Sequence, residues 1–150
     1  MTININLTDS YSHATKTNGW VIETYTCQCA DMEDGPWENC GVCGGDAVVK
    51  CKLLPPSEDL NIANGNWDTL ASALGIDEKE GGSMSTAEFA RRLYELDTDL
   101  VCRVEHSEYK DGSLRYRQAG VDREQVERYI ERLRSIVFIG VARGSDVQWA

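Results

Sequence analysis

The sequence has few of the residues and motifs on which common enzyme sites depend. It contains two histidines, His13 and His106, and no H-x-E motif stands near its cysteine pairs. It contains no G-x-S-x-G nucleophile elbow, no P-loop and no G-x-G-x-x-G dinucleotide motif. We therefore predict no catalytic residues and a protein that is not an enzyme. A small enzyme whose site is assembled from scattered residues stays open as an alternative.

Long apolar stretches are also missing. No run approaches the roughly 18 apolar residues that a membrane-spanning helix needs, so we expect no membrane contact. The first ten residues, MTININLTDS, have neither a basic nor a long apolar segment, so we expect no secretion signal and a cytoplasmic location. Thiols stay reduced there, and clustered cysteines then indicate metal ligands rather than disulfides.

Positive charge is scarce in this chain. It carries 25 acidic and 15 basic residues, for a formal net charge of −10, and all its arginines lie after residue 85. A negative surface repels phosphate backbones and attracts basic protein surfaces. We therefore expect a protein partner with a basic surface rather than nucleic acid. Two alternatives stay open: nucleic-acid binding through the Arg-rich second half, and a charge that serves only solubility.

The pattern of apolar residues predicts strands first and helices later. Alternation at residues 2–7 and β-branched or aromatic residues at 20–29 and 46–54 indicate strands. Residues 8–19 are polar and are predicted to form a loop. An Asp-Gly turn within residues 100–118 predicts a hairpin, and the final DVQWA adds a short strand.

Three helices are predicted in the second half from apolar spacing and capping residues. The first follows Asn64 or Asn66 as its N-cap, the second follows Ser85 in an STAE capping box, and the third begins near Arg123 after Asp122. The predicted fold class is α+β: a small antiparallel sheet with a zinc-ribbon hairpin, packed against two or three helices. We predict one zinc-stabilised domain over residues 1–150, with a ribbon insertion at about 20–54 and a mainly helical part at about 60–143.

Five of the six cysteines lie between residues 27 and 51, and four of these form two close pairs. Zinc takes four ligands in a tetrahedron, and thiolates suit it well. The second pair, in Cys-Gly-Val-Cys-Gly-Gly, resembles the knuckle of zinc ribbons, whose glycines permit a tight turn. The first pair is Cys-x-Cys, which departs from the usual Cys-x-x-Cys, but alternate strand positions share a face. The predicted zinc ligands are Cys27, Cys29, Cys40 and Cys43.

A zinc ion with four thiolates has no open position, so the predicted site is structural. Cys51 could replace Cys27 or Cys29, but Cys51 and Cys102 are each also interpreted as a buried free thiol. A redox role for the Cys40-x-x-Cys43 pair is disfavoured, because the motif would have to open a helix and a Gly-Gly-Asp run follows it instead.

The loop between the cysteine pairs is the predicted partner-binding segment. An exposed Trp on a loop held by a metal would be a binding anchor, although the same ring could fold back over the zinc. The predicted partner-binding residues are Trp37, Asp31, Glu33, Asp34 and Glu38. We interpret the protein as a non-enzymatic, acidic, zinc-stabilised binding or regulatory protein.

Two stretches carry a further resemblance. They resemble segments of small uncharacterised bacterial and phage proteins. The first is LNIANGNWDTLASALGI at residues 60–76, and the second is VERYIERL with the final VQWA, within residues 126–150. In such proteins an Asn-capped helix ending in Leu-Gly is followed by a late Tyr-Ile-x-x-Leu helix and a terminal Val-x-Trp. The resemblance implies no activity. The missing catalytic motifs, the acidity and the loop that carries Trp37 are together consistent with a phage-type accessory inhibitor of a host defence system, located in the host cytoplasm.

Overall fold

The computed structural model describes residues 1–102, 104–110, 113–119 and 121–150, with side chains described outside residues 103–120. The chain divides into two compact units. Residues 1–11 and 56–150 form the first, called the sheet unit here, and residues 12–55 form the second, called the cysteine unit. The two are described separately, and a single-domain organisation stays a prediction.

Strands and helices are interspersed along the chain, and short 3-10 turns occupy Gln28–Asp31 and Thr98–Leu100. The elements, in chain order, are β1 Thr2–Leu7, α1 Ser10–Thr17, β2 Val21–Thr26, β3 Val48–Leu53, β4 Asp59–Ala63, α2 Asn64–Ala73, β5 Gly82–Met84, α3 Thr86–Tyr94, β6 Val104–Lys110, β7 Ser113–Ala119, α4 Arg123–Arg143 and β8 Val147–Trp149. These elements confirm the predicted α+β class.

The sheet unit is built on a four-stranded antiparallel sheet in the order β4-β1-β8-β5. The central strand β1 alternates polar and apolar residues, and its Ile3, Ile5 and Leu7 are buried. Ile5 stands opposite Leu60 on β4 and Trp149 on β8, so the three strands contribute to the same core. The predicted final strand is confirmed as β8.

Helix α4 covers this core with one apolar face. The Asp122 carboxylate accepts a hydrogen bond from the Glu124 N–H, and the helix ends at Gly144 in the left-handed conformation. Its buried residues recur every three or four positions: Val126, Ile130, Leu133, Ile136, Val137 and Gly140. The predicted helix and its cap are therefore confirmed. The STAE box is confirmed as well, because Ser85 Oγ accepts from the Glu88 N–H at the start of α3.

Three details of the prediction were wrong. Residues 8–19 contain helix α1, whose polar sequence lacks the apolar spacing that marks a helix. The N-cap of α2 is Ala63, without a side-chain cap, and the Asn66 amide instead donates to the Tyr129 hydroxyl at 3.1 Å. Strands β4 and β5 were not predicted, although Leu60 and Ile62 alternate along β4 and are buried.

The predicted hairpin is confirmed as the antiparallel pair of β6 and β7, with a register that runs from Val104–Ala119 to Lys110–Ser113. Its Asp111-Gly112 turn lies outside the described residues.

The cysteine unit contains the predicted ribbon, an antiparallel pair of β2 and β3 that runs in register from Val21–Leu53 to Thr26–Val48. Every side chain of β2 is exposed, so neither face of this strand is covered. The buried cluster of the unit consists of Cys27, Cys29 and Cys43, with Cys40 and Val49 half-buried beside them. Sulfur, rather than hydrocarbon, lies at the centre of this unit.

Candidate metal centre

The four predicted ligands meet in one place. The sulfur atoms of Cys27, Cys29, Cys40 and Cys43 all lie within 4.8 Å of one another. The Cys27 and Cys40 sulfurs are 3.8 Å apart, and those of Cys29 and Cys43 are 3.4 Å apart. Four sulfurs placed tetrahedrally around an ion at about 2.3 Å would be about 3.8 Å apart. A disulfide requires about 2.05 Å, so these four cysteines are free thiols arranged at metal-ligand spacing.

The first pair is positioned by a turn and not by a strand. Strand β2 ends at Thr26, and the Cys27 N–H donates to the Ala47 carbonyl at 2.7 Å. The chain then enters the 3-10 turn that contains Cys29, closed by the Ala30 N–H donating to the Cys27 carbonyl at 3.0 Å. The predicted alternation of both cysteines along one strand face was therefore wrong. A short helical turn allows the Cys-x-Cys pair to converge where a ribbon uses Cys-x-x-Cys.

The second pair forms the predicted knuckle. The Gly44 N–H donates to the Cys40 carbonyl at 2.8 Å, and Gly44 and Gly45 adopt φ values of 65° and 99° that favour glycine. The backbone N–H groups of Cys43 and Val42 donate to the Cys40 sulfur and lower the pKa of this thiol to about 6. The backbone thus favours a thiolate at Cys40, which is the form that binds metal.

Cys29 shows the opposite tendency. The backbone N–H of Trp37 donates to its sulfur and lowers its pKa, but burial and the thiols of Cys43, Cys27 and Cys40 raise the pKa to about 12. Four thiolates this close together repel one another unless a cation neutralises them. The donor set therefore fits a divalent cation with a preference for sulfur ligands.

The other cysteines lie apart from this cluster. Cys51 on β3 stands opposite Glu23 on β2 and lies beside the Tyr25 hydroxyl. The negative charge of an ionised Cys51 raises the pKa of Tyr25. Cys51 is half-buried and outside the cluster, which differs from the prediction of a substitute ligand or a buried free thiol. Cys102 is buried in the sheet-unit core, as predicted. Among the residues with described side chains, no other group of three or more metal-ligating side chains lies together.

The loop between the two pairs, residues 31–38, is called the acidic loop here. The Trp37 carbonyl accepts from the Cys40 N–H at 3.1 Å, and its N–H donates to the Cys29 sulfur, so its backbone is bound to both cysteine pairs. Its side chain is nevertheless 46% exposed. The four predicted acidic residues are exposed as well: Asp31, Glu33, Asp34 and Glu38. The predicted partner-binding side chains thus share one accessible loop.

Close backbone packing at two glycines fixes the path of this loop. A Cβ at Gly35 would lie 1.6 Å from the Cys29 carbonyl oxygen, and one at Gly45 would lie 2.7 Å from the Glu38 carbonyl oxygen. Sequence reasoning did not identify these contacts. The only signal was the number of glycines in the loop, which does not distinguish Gly35 from Gly41, where a Cβ would meet nothing within 4 Å.

Comparison of the chain with known protein families, curated proteins and solved structures gave no significant match. The resemblance of residues 60–76 and 126–150 to bacterial and phage proteins therefore stays a prediction. In the part of the chain that the structure describes, no helix is both long and apolar enough to cross a membrane.

Proposed function

We propose that this chain is a non-enzymatic binding protein in which a structural Zn²⁺ ion holds the acidic loop in place for a protein partner. The observation that carries the proposal is the position of Trp37. Its backbone is hydrogen-bonded to two of the four clustered cysteines while its side chain is 46% exposed. An ion that fixes the sulfurs would therefore also fix the ring that meets the partner.

Zinc fits the cluster better than calcium or magnesium does. Tetrahedral sites with four sulfurs hold zinc or iron, whereas calcium and magnesium require oxygen ligands. Zinc with four thiolates has no open position for water or substrate, so its role here is to stabilise the unit and not to catalyse. The Cys40 sulfur already accepts two backbone N–H groups, which stabilise a bound thiolate.

Charge determines the chemistry of the partner. Residues 31–46 contain five acidic residues and no basic one. A divalent ion with four thiolates adds a further net charge of about −2. A Trp surrounded by negative charge suits a basic protein surface with an apolar depression, where the ring can be desolvated. Inhibition of a host defence system by such a contact, and a phage origin, stay predictions.

The test is retention of a protein partner from nuclease-treated lysate by the immobilised, zinc-loaded chain. Trp37→Ala should abolish retention. Tyr25→Ala is the matched control, because Tyr25 is an aromatic residue of the same unit with 52% exposure on strand β2. Retention that survives in Tyr25→Ala but not in Trp37→Ala supports the proposal, and equal retention by both variants contradicts it.

A matched pair of triple variants separates local charge from net charge. The first variant neutralises three acidic residues of the acidic loop and should retain less of the partner at low salt. Its substitutions are Glu33→Gln, Asp34→Asn and Glu38→Gln. Neutralising the exposed Asp77, Glu78 and Glu80 in the sheet unit removes the same number of charges and should not reduce retention. Equal losses in both triple variants would mean that net charge, and not the acidic loop, attracts the partner.

A further inference from the structure

A second polar site lies in the sheet unit, on the side of α4 that faces β4. A pocket of about 280 Å³ is lined there by residues of both elements, and it is called the arginine pocket here. The lining residues are Leu60, Asn61, Gln125, Arg128, Tyr129 and Arg132. None of them belongs to the cysteine unit, so this site is independent of the function proposed above.

The two arginines of this pocket have no ion-pair partner among the described side chains. Four other arginines of the sheet unit do have one: Arg91 and Arg92 bind Glu88, Arg123 binds Asp99, and Arg143 binds Glu58. Both pocket arginines are exposed, as is Arg134, which also lacks an ion-pair partner among the described side chains but does not line the pocket. Arg128 and Arg132 are four residues apart on α4, so they lie on one side of the helix with their Cβ atoms about 5–6 Å apart. Two guanidinium groups on one side of a helix repel each other, and an anion bound between them would relieve the repulsion.

The Tyr129 hydroxyl adds a third donor. It accepts a hydrogen bond from the Gln125 side-chain amide at 2.7 Å and another from the Asn66 amide at 3.1 Å. A hydroxyl oxygen has two acceptor positions and one O–H to donate. Since both acceptor positions are filled, the O–H is directed to some other acceptor, and the described side chains provide none in hydrogen-bond contact with it. The pocket therefore offers an O–H and two guanidinium groups to a ligand.

One acidic group moderates this positive charge. Asp59 is near Arg132, where burial raises its pKa and the Arg132 charge lowers it. The exposed Glu124, Glu127 and Glu131 lie on the same helix but do not line the pocket. The charged side chains that line the pocket are thus both arginines, in a chain whose formal charge is −10.

We propose that the arginine pocket binds the phosphate group of a phosphate monoester, held by Arg128, Arg132 and the Tyr129 hydroxyl. A terminal phosphate presents three oxygens to three donors, whereas a carboxylate presents two. Arginine forks match phosphate geometry and bind it with two parallel hydrogen bonds. A volume of about 280 Å³ also leaves room for part of the carbon skeleton that carries the phosphate.

The test is a ¹H–¹⁵N NMR titration of the zinc-loaded full chain with inorganic phosphate and then phenyl phosphate, at constant ionic strength. Saturable shifts should appear at residues 125–132 and at the Nε–H signals of both pocket arginines. Arg128→Gln and Arg132→Gln should each weaken binding by about tenfold, the usual effect of losing a charged hydrogen bond. Asp59→Asn should strengthen binding, because it removes the opposing charge.

Arg134→Gln is the matched control. Arg134 is an exposed arginine of the same helix without an ion-pair partner among the described side chains, and it lies outside the arginine pocket. It should leave binding unchanged. The proposal would be overturned if the NMR shifts never saturated, or if Arg134→Gln weakened phosphate binding as much as Arg132→Gln. Either result would mean that the positive charge of the helix attracts phosphate without a specific site. Malonate binding as tight as that of phenyl phosphate would overturn the assignment to phosphate.

Discussion

The two units of this chain use different means to hold their structure. In the described part of the sheet unit, 22 buried residues from three strands, three helices and the segments between them pack into one apolar cluster. In the cysteine unit, the buried cluster contains three residues, and all three are cysteines. Burying a large apolar side chain contributes about 1.5–3 kcal/mol, which thiols packed together do not match. We therefore expect the sheet unit to fold by apolar burial and the cysteine unit to require a bound ion.

The largest expected effect is the loss of one ligand, and it should distinguish the two units. Cys43→Ser should abolish stoichiometric zinc and unfold the cysteine unit, because structural zinc contributes an apparent binding free energy of about 10–16 kcal/mol in small domains. Backbone NMR signals of residues 27–47 should collapse while those of α4 persist. Cys51→Ser, outside the cluster, is the control and should retain zinc. Loss of both sets of signals would mean that the sheet unit also depends on the bound ion.

The converse change should affect the sheet unit alone. Leu133 on α4 is fully buried, so Leu133→Ala should lower the free energy of unfolding by about 2–5 kcal/mol through lost burial and a cavity. Zinc content, measured by elemental analysis of the folded protein, should stay unchanged. Phe138→Ala on the same helix is the control. Because Phe138 is 77% exposed, this substitution should change the free energy of unfolding little. A Leu133→Ala protein that loses its zinc at temperatures where it remains folded would contradict the comparison.

A smaller effect is expected where backbone packing supports the metal centre. Gly35→Ala places a methyl group against the Cys29 carbonyl and should destabilise the cysteine unit by about 1–3 kcal/mol. Competition with a chromophoric chelator should show weaker zinc binding. Gly41→Ala, with open space around its Cβ, should bind zinc like the original protein. Equal zinc affinities in both variants would show that the packing at Gly35 does not support the site.

The smallest effect concerns a helix cap in the sheet unit. Ser85→Ala removes the acceptor for the Glu88 N–H at the start of α3. It should lower the free energy of unfolding by about 1 kcal/mol, as measured by thermal or urea unfolding. The affinity for zinc should not change. A shift in zinc affinity comparable to that of Gly35→Ala would be evidence against separate sources of stability.

The elements that could be predicted from sequence are those whose residues carry a local signal. The apolar spacing of α4 and the Ser85 capping box predicted both helices, and the Asp-Gly turn predicted the pairing of β6 with β7. Helix α1 escaped prediction because it is polar throughout, with Ser10 and Ala14 as its only buried residues. Strand β4 follows two prolines and runs directly into α2, and its apolar alternation consists only of Leu60 and Ile62, which is a weak strand signal.

The metal centre shows the same limit. Cysteine identity and the Gly-Gly knuckle predicted the four clustered residues, since few arrangements of paired cysteines serve another purpose in a reducing compartment. The 3-10 turn that carries Cys29 and the contact of Gly35 with the Cys29 carbonyl depend on residues brought together by the loop. The arginine pocket could not be predicted either, because the partners of the Tyr129 hydroxyl, Asn66 and Gln125, lie on different helices.

The central claim is that one ion bound by four sulfurs holds the acidic loop. X-ray absorption spectroscopy at the zinc edge, on protein purified without added metal, tests it most directly. We predict one zinc per chain, with four sulfur ligands at about 2.3 Å and no nitrogen or oxygen in the first shell. Metal-free protein with an ordered acidic loop, or a zinc ion bound by fewer than four sulfurs, would contradict the claim.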